Sequence, residues 1–112
     1  SARLKRRTQG VKGKGIFMVF VVLELVAKPE CVDELREMLK AALPDTRSYD
    51  GCHGVTGFVN EDGRTMLLTE RWTSKSHYEQ YLAWRTENGT LEQVIGLCAG
   101  PPSIRYFDQV DV

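Results

Sequence analysis

Histidine is scarce in this chain, and cysteine comes in an odd number. The two histidines, His53 and His77, have no metal-ligand spacing, so no metal site is expected. Cys31, Cys52 and Cys98 include no C-x-x-C pair. That disfavours a disulfide framework and suits a reducing cytoplasm. Long apolar runs are missing too. The longest, residues 16–23, is far too short to cross a membrane, and no small-residue cleavage site follows it as a signal peptide would require. No P-loop, no G-x-G-x-x-G fingerprint and no Ser–His–Asp signature is present.

Acidic residues are absent from residues 1–15, which hold six basic ones: Arg3, Lys5, Arg6, Arg7, Lys12 and Lys14. This glycine-containing stretch reads as a basic tail with little to bury. Met18 suggests a native start, with the preceding residues derived from a vector; the alternative is a native basic arm. The net charge of the whole is zero, so residues 16–112 carry nine basic against 15 acidic residues, a net of −6. An acidic body argues against nucleic acid as partner.

The 112 residues, 42% apolar, are enough for one domain and one core. Residues 16–27 are β-branched and aromatic and read as a long, mostly buried strand. Lys28-Pro29 opens a helix whose inward face is Val32, Leu35, Met38, Leu39 and Ala42, running to about Leu43, with Pro44 as its stop. Residues 47–54 are a turn-rich connection, Val55 to Asn60 a second strand, and Glu61-Asp62-Gly63 a hairpin turn. Thr65 to Trp72 alternates as a third strand, with Met66, Leu68, Glu70 and Trp72 on one face. A second helix opens at residues 73–76, with Ser76 and Glu79 as its capping box, and breaks at Asn88-Gly89. Thr90 and Gln93 cap a short third helix with Leu91, Val94 and Ile95 inward. Ser103 to Val110 is the last strand.

The order is βαββαβ, an α+β ferredoxin-like fold: a four-stranded antiparallel sheet with helices on one face. The first strand is apolar on both alternating sets, so the uncovered sheet face needs a partner. A second copy of the chain is the simplest cover, making a homodimer through the sheet face.

Lys28-Pro-Glu after the first strand, Ser48-Tyr-Asp-Gly-Cys52 before the second, Glu70-Arg-Trp72-Thr-Ser74 closing the third, and Pro101-Pro-Ser-Ile-Arg-Tyr-Phe107 in the last resemble the antibiotic biosynthesis monooxygenase (ABM) family over residues 16–110. The resemblance implies a dimeric α+β barrel with a pocket between sheet and helices in each subunit. It also implies oxygenation of quinols or anthrone-like polyketides by O2 without metal or flavin. Many members place a histidine nine residues after the tryptophan, where this chain has Tyr81. No histidine follows His77, so the axial ligand that haem-degrading relatives need is missing.

Oxygenation without a cofactor needs a base, donors for an oxyanion and a dry aromatic slot. His53, Tyr81 and Arg85 are the candidate catalytic residues. His53, at the mouth of the second strand, is the candidate base; the plainer reading leaves it in solvent. Arg85, one turn beyond Tyr81, is placed to pair with a carboxylate or enolate; the plainer reading pairs it with an acid such as Glu70 or leaves it in solvent. Trp72, Tyr78, Trp84 and Asn60 are candidate substrate-binding residues. Trp72 would stack on a small aromatic ligand or serve as a core anchor, Tyr78 would offer a hydroxyl, and Asn60 would donate to a substrate oxygen or shape the turn. The expected function is a cofactor-independent monooxygenase, with a non-catalytic small-molecule-binding dimer as the alternative on the same fold. An RRM-like RNA-binding role is set aside, because Thr65 to Trp72 lacks basic and exposed aromatic positions.

Overall fold

The computed structural model describes residues 18–112. The expected basic tail, together with Ile16 and Phe17, lies outside the described residues. Strand β1 (Val19–Val26) leads through a 3-10 turn (Pro29–Cys31) into helix α1 (Val32–Ser48). Strands β2 (Cys52–Val59) and β3 (Thr65–Trp72) form a hairpin. Helices α2 (Lys75–Glu87) and α3 (Thr90–Gly96) come next, and strand β4 (Ser103–Asp108) closes the domain. The sheet order is β2-β3-β1-β4, and every neighbouring pair is antiparallel. This is the ferredoxin-like α+β arrangement expected from the residue pattern. Among the described residues no helix is long and apolar enough to cross a membrane.

Alternation does most of the sorting. Met66, Leu68, Glu70 and Trp72 of β3 are buried, as are Val19, Val21 and Leu25 of β1. One cluster gathers Leu25, Ala27, Leu35, Met66, Val94 and Cys98 at one end of the sheet. A second gathers Val19, Val21, Trp72, Tyr78 and Tyr81 at the other. The β2–β3 turn is built by side chains: Asn60 Oδ1 accepts from the Asp62 amide, and Asp62 Oδ1 accepts from the amides of Arg64 and Thr65.

Pro44 does not end the first helix; α1 continues to Ser48 with the proline inside it. A helical proline leaves the carbonyl four residues back without its amide. Here that residue is Lys40, which is exposed and open to water. The turn beyond is held from outside: Thr46 Oγ1 and Tyr81 Oη lie 2.6 Å apart, and the Arg47 guanidinium donates to the Val55 carbonyl at 3.1 Å. Tertiary contacts override the local signal.

Other boundaries shift for similar local reasons. Strand β2 begins at Cys52, not Val55, because a bulge between Cys52 and Gly54 lets the strand pair with β3 earlier. Gly51 makes the tight approach to it: its φ is +91°, and a Cβ there would lie 2.6 Å from the His77 ring. Helix α2 is capped by Ser74, whose hydroxyl accepts from the His77 amide at 3.1 Å, so the cap is two residues earlier than the expected Ser76. Thr90 lies within α3, and its amide is met by Asn88 Oδ1 rather than by a Thr90–Gln93 box. Ile95 is exposed, not inward; Val94 alone is fully buried from that helix. Strand β4 ends at Asp108, where its pairing with β1 ends.

The face of the sheet away from the helices is open. Phe20 of β1 stands between Arg71 of β3 and Phe107 of β4. Phe20 is 38% and Phe107 46% exposed.

Candidate functional site

Between the sheet and the helices lies a cavity of about 50 Å³. Leu68 and Glu70 form its floor, Tyr78, Tyr81 and Arg85 of α2 one wall, and Ala42 and Thr46 of α1 the other. Its partly exposed lining residues, Leu43, Leu82, Thr90 and Leu91, mark where α1 faces α2 and α3.

Glu70 is the unexpected member. It occupies an inward position of β3, between Val21 of β1 and Val55 of β2, and is 2% exposed. Trp72 Nε1 donates to its Oε1 at 2.9 Å. Burial lifts its carboxyl from near 4.5 to about 7, against the smaller opposing effect of the indole hydrogen bond. Near neutral pH it therefore exists in both protonation states, the condition for a general base that must return its proton. The residue pattern places Glu70 on the β3 face with Met66, Leu68 and Trp72, in the Glu-x-Trp motif and as a partner for Arg85, but gives it no role as a base. The signal that could have found it is a carboxylate on the apolar set Met66, Leu68, Trp72.

Tyr78 is fully buried, and its hydroxyl has no hydrogen-bond partner. Burial drives its phenol pKa far up, with the Glu70 charge adding to it, so Tyr78 stays a neutral donor. Trp72, 0% exposed, packs against the rings of Tyr78 and Tyr81 at centroid distances of 5.4 and 5.1 Å.

Tyr81 and Arg85 form the opposite, positive end. Arg85 Nε donates to Tyr81 Oη at 2.8 Å, and Arg85 Nη2 donates to the Ala42 carbonyl at 2.8 Å and to Thr46 Oγ1 at 3.0 Å. Burial raises the Tyr81 phenol pKa, and the bonds to Arg85 and Thr46 hold it back. An Arg85–Glu70 ion pair is not formed among the described residues, and every hydrogen-bond partner of Arg85 is uncharged.

The remaining expected residues lie elsewhere. His53 sits in the β2 bulge, exposed, 2.8 Å from Thr73 Oγ1 through Nε2, and does not line the cavity. The bulge, which the sequence pattern does not reveal, puts it outside. Asn60 is spent on the hairpin turn. Trp84 stands behind the cavity, with the Arg85 guanidinium 4.7 Å from its ring centre and the Tyr49 ring 5.2 Å away. Among the described residues, no group of three or more His, Cys, Asp or Glu side chains is arranged to hold a metal ion.

A ferredoxin-like sheet with a small, largely leucine-lined cavity under its helices defines a class of small α+β proteins. Within that class, the sequence model of the antibiotic biosynthesis monooxygenase family matches residues 18–86, and the chain belongs to that family. Rv0793 of Mycobacterium tuberculosis, provisionally named a monooxygenase, is 29% identical over 79 residues, 65% of this chain and 78% of Rv0793. Its solved structure superposes with a TM-score of 0.75 at 24% identity, covering 85% of this chain and 97% of that one. A conserved protein from Methanosarcina mazei superposes at 0.76 with 15% identity, over 88% of this chain and 98% of its own. These structural likenesses are likenesses of fold.

Proposed function

We propose that this protein is a cofactor-independent monooxygenase acting with O2 on a small phenolic or quinol-like aromatic substrate, with Glu70 as its base. The observation that carries the reading is Glu70 itself: a carboxyl lining a mostly apolar cavity, lifted to about 7 by burial, with the unpartnered Tyr78 phenol in the same lining. Family membership and the provisional name of Rv0793 point the same way.

Glu70 takes a proton from the substrate, and the Tyr78 hydroxyl donates to the oxyanion that forms. Trp72 does not line the cavity; packed behind Tyr78 and Tyr81, it holds Glu70 Oε1 through its indole N–H and so positions the base. Tyr81 and Arg85 keep the cavity positive and favour the anion throughout. The electron-rich anion adds O2 at carbon, and Glu70 returns the proton to give a hydroperoxide. At a ring methylene this loses water and leaves a carbonyl, so CH2 and O2 become C=O and H2O. Protein groups move one proton out and back and are unchanged at the end.

The cavity is smaller than the roughly 300–1,000 Å³ of ordinary ligand pockets. It has room for roughly one or two water-sized molecules. An aromatic ring enters when Leu43, Leu82 and Leu91 swing aside. The working unit in this reading is a cytoplasmic homodimer closed through the open sheet face around Phe20 and Phe107.

Oxygen-electrode traces with metal-free protein and a panel of hydroquinones and anthrones test the reading. Uptake above spontaneous autoxidation, with one O2 consumed per carbonyl formed, is expected. Uptake at the autoxidation rate across the panel would leave a ligand-binding protein instead.

A further inference from the structure

Arg85 is 6% exposed and carries a full charge, yet no carboxylate among the described residues lies within ion-pair distance of it. Residues 1–17 contain no acidic residue to supply one. Its hydrogen-bond partners are the Tyr81 hydroxyl, the Thr46 hydroxyl and the Ala42 carbonyl, and its flat faces meet the Trp84 and Tyr81 rings at 4.7 and 5.3 Å. Dipoles and ring faces soften the charge without neutralising it.

Buried arginines are ordinarily matched by an anion, because an unpaired charge in a dry interior is costly to keep. The one carboxyl lining the same cavity, Glu70, does not serve. It is engaged by the Trp72 indole, and Arg85 is not among the groups that hold its titration down. Three of the five guanidinium N–H groups are used, and Nη1 has no hydrogen bond among the described residues. Arg85 lines the cavity, and Nη1 is the part of its guanidinium left for a ligand to use.

We infer that the missing counter-ion is the substrate's own carboxylate: the cavity takes a hydroxylated aromatic acid, its carboxylate on Arg85 and its hydroxyl toward Glu70 and Tyr78. This rests on the reading of the same cavity as the substrate site, and it narrows the substrate from neutral quinols to anionic ones. The Thr46–Tyr81–Arg85 chain then acts to hold the guanidinium in place before the ligand arrives, which lowers the ordering cost of binding.

The test compares 4-hydroxybenzoate, whose hydroxyl and carboxylate stand at opposite ends of the ring, with its methyl ester, which keeps the ring and hydroxyl and removes the charge. Binding to the full chain is followed by tryptophan fluorescence and calorimetry at pH 7. The acid is expected to bind at least ten-fold more tightly than the ester. Arg85→Gln should bring the acid down to the level of the ester, and Arg85→Lys should keep part of the preference. The wild-type comparison stands even where a variant fails to fold. Equal affinity for acid and ester, no binding of either at millimolar concentration, or a preference that survives in folded Arg85→Gln each overturn the inference. Oxygen uptake is scored separately. Uptake with neutral quinols and no acid preference sinks this inference alone, whereas an acid preference without any uptake sinks the oxygenase reading alone.

Discussion

Trp72 Nε1 donates to Glu70 Oε1 at 2.9 Å, between two residues that share the inward face of one strand. A residue that looks like a core anchor thus orients the one carboxyl buried in the cavity. Strand alternation fixes both: Glu70 and Trp72 are two positions apart, so neither can turn outward without the other.

Glu70→Gln keeps an acceptor for the indole and removes the charge. The unfolded carboxyl titrates near 4.5 and the folded one near 7, so between those values the folded state holds the extra proton. Stability falls as pH rises through that window and stays low above it. The loss is at most about 3.5 kcal/mol, at roughly 1.4 kcal/mol per pH unit. Urea unfolding at pH 5 and pH 8 should show wild type losing stability over the interval, and Glu70→Gln losing less and surpassing wild type at pH 8. Parallel pH dependence in the two proteins would show that Glu70 is not held neutral by burial.

Tyr81→Phe removes the oxygen that Thr46 and Arg85 share. Burying those donors without it should cost about 1–3 kcal/mol. Thr46→Val alone should cost a similar amount. Because both touch one network, the double variant should lose less than the sum, with a coupling of about 0.5 kcal/mol or more. Denaturant titration of the four proteins measures it.

Ser74→Ala should destabilise by about 1 kcal/mol, since the hydroxyl caps α2, while Ser76→Ala, on an exposed helical position, should change little. Thermal melts of the pair settle which serine is the cap.

Phe20→Lys places a charge at the middle of the open sheet face, beside Phe107. Light scattering at micromolar concentration should give twice the chain mass for wild type and the single-chain mass for the variant. A monomeric wild type would contradict closure through this face.

The residue pattern makes the fold legible where one periodicity acts alone. Thr65–Trp72 and its inward set Met66, Leu68, Glu70 and Trp72 come directly from spacing, and both match the structure. It fails where a distant contact decides. Pro44 is a local stop signal, but Lys40 is exposed, and the α2 side chains Tyr81 and Arg85 anchor the last turn of α1. His53 reads as a base by chemistry, yet the β2 bulge sets it outside the cavity. Glu70 is visible as a charge on an apolar face, but its burial depends on Val21 and Val55, which pairing alone brings beside it.

The most direct measurement is oxygen consumption by wild type, Glu70→Gln and His53→Ala with whichever hydroquinone or anthrone gives the fastest turnover. Glu70 as base predicts that Glu70→Gln falls at least a hundred-fold, the low end of the ~10²–10⁴ range for acid–base catalysis, while His53→Ala keeps the wild-type rate. It also predicts a wild-type kcat/KM that rises with pH through about 7. Full activity in Glu70→Gln, or loss in His53→Ala with Glu70→Gln unaffected, would contradict the account.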